Sequence, residues 1–135
     1  IINSTNTDYV MSRIRKLYLS DSTVTLVMLG KCTWARRYVD WEIQSSLRRG
    51  ETTTPNGLLA IKLLSFPANG SFPQRLNQNL IQDAQQVDCY ARWIDYPRTT
   101  SSVVEEIEAA YQRRLTHQNW IDNPRDRMGY NRRCE

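Results

Sequence analysis

Histidine is the scarcest chemical resource in this 135-residue chain: His117 is the only one. That count argues against a His-rich metal site and against a His-based catalytic triad. The five glycines are scattered, with no Gly-x-Gly-x-x-Gly and no Gly-x-x-x-x-Gly-Lys-Ser/Thr. Conventional dinucleotide-redox and P-loop NTPase chemistry lose their sequence support. No apolar run approaches the roughly 20 residues of a membrane helix, and no basic-then-apolar leader opens the chain, so secretion is not expected. Three cysteines, Cys32, Cys89 and Cys134, are odd in number and widely spaced. That pattern suits reduced intracellular thiols, and a cytoplasmic location, better than a disulfide framework or a zinc site.

What remains is an ordinary globular composition, 40% hydrophobic and 24% charged, with a net charge of +4. The length suits one domain with a sizeable core. Arg113, Arg114, Arg125, Arg127, Arg132 and Arg133 crowd the last quarter. Asp122, Asp126 and Glu135 interrupt the run, so a structured or solubilising extension is the expectation, and nucleic-acid binding is not.

Periodicity predicts alternating helices and strands. A helix with Val10, Ile14 and Leu17 on one face follows the capping side chains Asn6-Thr7-Asp8. A β-branched apolar run from Thr23 to Leu29 reads as a strand covered on both faces. A helix from Ala35 or Arg37 to Arg49 follows, stopped at Gly50. Gly57–Leu64 is a second apolar strand. Residues 65–86 are a long, Asn-, Gln- and Pro-rich connection with one short helix near residues 78–84. Cys89–Ile94 is a third strand, mixed in polarity and so nearer an edge. Ser102-Val-Val-Glu105 reads as a capping box for a last helix carrying Val104, Ile107, Tyr111 and Leu115. This order implies right-handed crossovers and a parallel sheet. Three strands are few for such a sheet, so further residues upstream of Ile1 are expected.

The segment Gly30-Lys31-Cys32-Thr33-Trp34-Ala35-Arg36-Arg37-Tyr38-Val39-Asp40-Trp41-Glu42-Ile43 resembles the strand-to-helix segment of TIR domains. Lys31 falls on the family lysine, Glu42 on its glutamate and Ile43 on its leucine. Tyr38 stands where the family carries tryptophan four residues before the acid. More closely, Thr7-Asp8-Tyr9-Val10, Asp21-Ser22-Thr23-Val24-Thr25, Val39-Asp40-Trp41-Glu42-Ile43, Gly57-Leu58-Leu59 and Tyr96-Pro97 look like the bacterial and archaeal TIR-like family. That family includes the TIR component of Thoeris anti-phage systems. The resemblance implies a flavodoxin-like, three-layer α/β fold with five parallel strands, of which this chain supplies the last three. It also implies a TIR-like domain over residues 1–115 and a basic extension over 116–135.

The activity implied is cleavage of the nicotinamide–ribose bond of NAD+, giving ADP-ribose or a cyclic ADP-ribose signal in anti-phage defence. NAD+ is then a substrate, with no cofactor and no metal. Glu42 would be catalytic: as nicotinamide leaves, the ribosyl centre becomes oxocarbenium-like, and a carboxylate stabilises that charge. Tyr38, one turn earlier on the same face, would contact the ribose. Lys31 and Arg36 would offer charge to the pyrophosphate, and Trp34 would stack on a base. Self-association, and an effector reached through the nucleotide product, complete the implied partners. The competing readings are an ordinary helix glutamate paired with Arg36, Arg37 or Arg49, and a catalytically silent TIR-like module that works by protein association.

Overall fold

The computed structural model describes residues 23–80 and 89–134. The expected first helix, and most of the span proposed for a short helix at residues 78–84, lie outside those residues. Three parallel strands form the sheet in sequence order: β1 (Val24–Leu29), β2 (Gly57–Lys62) and β3 (Arg92–Ile94). Val24 pairs with Gly57 and Leu29 with Lys62, while Leu59 pairs with Arg92 and Ile61 with Ile94. Helices α1 (Arg37–Ser46), α2 (Gln74–Asn77) and α3 (Thr100–Thr116) connect or follow the strands, with 3-10 turns at Thr33–Ala35 and Gln118–Trp120. This is an α/β arrangement, and no described helix is long and apolar enough to cross a membrane.

The period-2 alternation of side chains splits the core between the two sheet faces. Val27, Leu29, Leu58 and Ala60 pack on one side with Ile43 of α1, Leu47 just past its end and Leu76 of α2. Leu59 and Ile61 pack on the other with Ala110 of α3, joined by the half-buried Val24, Ile94 and Ile107. Gly57 makes the second face possible. A Cβ there would stand 2.3 Å from the Ala110 carbonyl oxygen, so only glycine lets α3 come this close to β2.

Several expectations need correction. β2 is buried at all but its last residue, but β1 is not covered on both faces. Val27 and Leu29 are buried, while Leu26 and Met28 are 42% and 44% exposed, because α3 lies mainly over β2 and leaves that side of β1 open. α1 stops at Ser46, short of Arg49 and Gly50. Its last carbonyl, that of Ser46, accepts from the backbone N–H of Asn56, which turns the chain toward β2. Gly50 instead exchanges backbone hydrogen bonds with Thr53. In the described part of the long connection a short helix also forms at Gln74–Asn77, ahead of the span expected from sequence. Helix α3 is capped by Thr99, whose hydroxyl accepts from the Ser102 backbone N–H at 3.1 Å, so Ser102 lies inside the helix.

The largest correction concerns the cysteines. Cys32 and Cys134 are disulfide-bonded across 102 positions of sequence, and Cys89 is a buried thiol outside that bond, donating to the Ala91 carbonyl. The spacing argument failed because the fold returns the chain terminus to the loop after β1. The case for a reducing compartment drawn from the cysteines falls with it.

Candidate functional site

Helix α1 carries the candidate site, and three sets of contacts position it. The loop before it is organised by Thr33: its hydroxyl donates to the Met28 carbonyl at 3.2 Å and accepts from the Gly30 N–H at 2.9 Å. Sequence therefore passes from strand to 3-10 turn without leaving the last strand groups unpaired.

The far end of the helix is fixed by a polar chain at the amino end of the sheet. Asn56 Nδ2 donates to Thr25 Oγ1 at 3.2 Å, and Ser46 Oγ donates to the Glu42 carbonyl at 2.8 Å. Thr25 Oγ1 and Ser46 Oγ are 2.8 Å apart. Because the Ser46 hydroxyl has one proton, already given to Glu42, Thr25 must be the donor between them. The backbone of Glu42 is thus tied to β1 and to the start of β2.

The third set comes from the carboxyl-terminal segment, which lies along α1 and α2. Asp40 and Arg75 form a buried ion pair, Arg75 Nε donating to Asp40 Oδ1 at 2.8 Å. The rest of the guanidinium donates to Asn123 Oδ1 and to the carbonyls of Pro124 and Asp126. Asp40 Oδ2 accepts from the Met128 N–H, and Trp41 Nε1 donates to the Met128 carbonyl at 2.8 Å. Gln44 donates to the carbonyls of Pro124 and Arg125. Arg37 takes Asn131 Oδ1 on its backbone N–H, and Arg132 N–H reaches the Ala35 carbonyl. The Cys32–Cys134 bond closes this strap.

Against that frame, the five residues singled out from sequence are placed as follows. Glu42 is exposed as a residue, yet the protein around its carboxyl partly desolvates it and raises its pKa above the usual carboxylate range. Among the described residues it makes no ion pair within 4.0 Å. The proposed arginine partners are engaged elsewhere or solvated. Arg37 stacks over the rings of Tyr38 and Trp41, Arg49 donates to the Gln118 carbonyl, and Arg36 is exposed. Tyr38 is 52% exposed and meets Trp41 edge-on at 5.0 Å between ring centroids. Lys31 is exposed at the turn beside the disulfide, and Trp34 is half-buried in the 3-10 turn. Tyr38 and Glu42 share one exposed side of α1. No described contact links Lys31, Trp34 or Arg36 to Glu42.

Two residues that matter were not singled out as site residues. Asp40 lies beside Glu42 but is spent on the buried pair, and Arg75 comes from the long connection. Asp40 in the run Val39-Asp40-Trp41-Glu42 was visible, but nothing local marks which arginine closes on it. A cavity of about 340 Å³ opens over this pair, lined also by Gln74, Gln78, Arg127 and Arg132. A second, of about 740 Å³, lies at the carboxyl ends of β2 and β3. Glu42 lines neither.

Comparison with known proteins places the first part of the chain. Residues 1–65 match the family described as the Thoeris protein ThsB, TIR-like domain. No curated protein and no solved structure matches the chain. All five candidate residues, from Lys31 to Glu42, fall inside the matched span, as do β1, α1 and β2. The segment that holds this candidate site is thus similar to the TIR-like domain of the Thoeris protein ThsB.

Proposed function

We propose that the chain is a TIR-like enzyme of anti-phage defence that cleaves the nicotinamide–ribose bond of NAD+. One observation carries the reading: the family match spans residues 1–65 and includes Glu42 on an ordered helix. The local physics supports it. A carboxylate that pairs with no cation among the described residues, partly desolvated and carried on a helix tied down at both ends, is suited to face a developing positive charge.

In this reading nicotinamide leaves with the bonding electron pair of the C–N bond. Glu42 stabilises the oxocarbenium-like ribosyl centre and holds the ribose hydroxyls. Tyr38 packs against the sugar, while Lys31, Arg36 and Trp34 contact the remaining nucleotide. Water as acceptor gives ADP-ribose, and an internal acceptor gives a cyclic isomer that signals to an effector. Self-association would bring further walls to the site.

The test is incubation of the longest natural form of the protein with NAD+, following released nicotinamide. Glu42→Gln should abolish release without lowering the melting temperature. Undiminished release would remove Glu42 from the chemistry. A second reading, association without catalysis, is favoured by the exposure of Tyr38 and of Glu42 on one face of α1, outside both cavities described. Self-association lost on Tyr38→Ala, with no nicotinamide released by the parent protein, selects it.

A further inference from the structure

The carboxyl ends of β2 and β3 open into the 740 Å³ cavity, which Glu42 does not line. Open parallel sheets bind ligands at this end of their strands, and the volume suits a small organic ligand. Its floor carries Lys62, the last residue of β2. The Lys62 ammonium lies 4.1 Å from the Trp93 ring centroid, 5.2 Å from that of Phe66 and 5.7 Å from that of Phe72. Ring faces favour a cation without neutralising it. Among the described residues no carboxylate lies within 4.0 Å of this ammonium.

The walls are held open by structure. The loop after β2 is folded by backbone bonds from Phe66 N–H to the Leu63 carbonyl and from Gly70 N–H to the Pro67 carbonyl, both 2.9 Å. Gly70 lies against the Phe66 ring, where a Cβ would come within 2.7 Å, so any side chain there would push the ring from its seat. Across the opening stand Asp95, the half-exposed Tyr96 and the exposed Arg98. Two cations and one acid line the cleft together with an exposed aromatic ring. That is the chemistry of a nucleotide: phosphate for Lys62 and Arg98, a base for Tyr96 and the Phe66–Pro67 wall, and a ribose hydroxyl for Asp95.

We propose that this cleft is a nucleoside-phosphate site separate from Glu42. Glu42 sits one turn before Ser46, which bonds Thr25 at the amino end of β1, whereas the cleft lies at the carboxyl ends of β2 and β3. A ligand here would occupy the protein without meeting that carboxylate.

Calorimetric titration of the full chain with ADP tests the proposal without any turnover. ADP should saturate a site that depends on Lys62, Arg98 and Tyr96, and bind there more tightly than inorganic phosphate. Lys62→Met keeps the apolar stem on the rings and removes the charge, and should weaken ADP binding about tenfold. Arg98→Ala and Tyr96→Ala alter exposed side chains, so they should weaken ADP without shifting the melting temperature. Glu42→Gln should leave ADP affinity unchanged. Absence of saturation by ADP, unchanged affinity in Arg98→Ala and Tyr96→Ala, or loss of binding in Glu42→Gln would each overturn the assignment. None of these outcomes bears on nicotinamide release, which reports on Glu42 separately.

Discussion

Arg75 closes on Asp40 with both side chains under a tenth exposed, Nε to Oδ1 at 2.8 Å. Every remaining guanidinium bond given to Arg75 goes to the segment 123–126, and the second oxygen of Asp40 goes to Met128. One ion pair therefore joins α1, α2 and the carboxyl-terminal strap. Its value lies in the cost of breaking it by halves, since a buried charge left alone is strongly unfavourable.

Asp40→Asn and Arg75→Met should each lower unfolding free energy by about 3 to 5 kcal/mol. The double variant, with neither charge left buried, should recover part of that loss. Urea denaturation of the four proteins measures the coupling. Additive losses would show that the pair is not the joint described.

Reduction of the Cys32–Cys134 bond releases a closed loop spanning 102 positions. Loop-closure entropy for a loop of that order is worth about 4 kcal/mol. Cys134→Ser should reproduce the effect of dithiothreitol on the urea midpoint, and dithiothreitol should then do nothing further. Hydrogen exchange should rise first in residues 122–134, whose bonds to α1 lose their covalent end. An unchanged midpoint on reduction would count against this closure.

Glu42 should make stability depend on pH in a direction that can be worked out. Burial raises its folded pKa, so the folded state binds the proton more tightly than the unfolded chain. Its contribution is fully present below the unfolded carboxylate pKa and is lost as pH rises through the raised folded value. At neutral pH the charged group is a net cost. Glu42→Gln should therefore stabilise the protein at pH 7, and the gain should shrink as pH falls toward the ordinary carboxylate range. Thermal melts of both proteins across that range check it. A gain that grows on acidification would reverse the sign.

Gly57→Ala should drive α3 off β2, because the new methyl would meet backbone at 2.3 Å and not a pliable side-chain tip. Overpacking of this kind costs about 1 to 3 kcal/mol. Ala110→Gly relieves none of it, since the nearest atom is the carbonyl oxygen. Denaturant midpoints of the single and double variants decide the point.

Much of the sheet was legible in the sequence. The runs Val24–Leu29 and Gly57–Lys62 are continuous and apolar, and parallel pairing follows from the helix between them. The resemblance read from Gly30–Ile43 and its neighbours agrees with the family matched over residues 1–65. Local boundaries were less legible. Ser102 looked like the cap of α3 because Glu105 completes a box, but Thr99 lies in extended backbone one turn earlier and captures the Ser102 N–H. Gly50 looked like a helix stop, yet Asn56 takes the Ser46 carbonyl before the chain reaches it. Each error came from a local signal overruled by a partner several residues away.

The sequence by itself determined the alternation of strand and helix, because side-chain period is a local property of the chain. It also marked Glu42 as the acid to watch. Only the tertiary structure decided what surrounds that acid. The Asp40–Arg75 pair, the Cys32–Cys134 bond and the cage around Lys62 join residues 35, 102 and up to 31 positions apart. Such contacts leave no periodic trace, since their energy comes from burial and closure that exist only once the chain has folded.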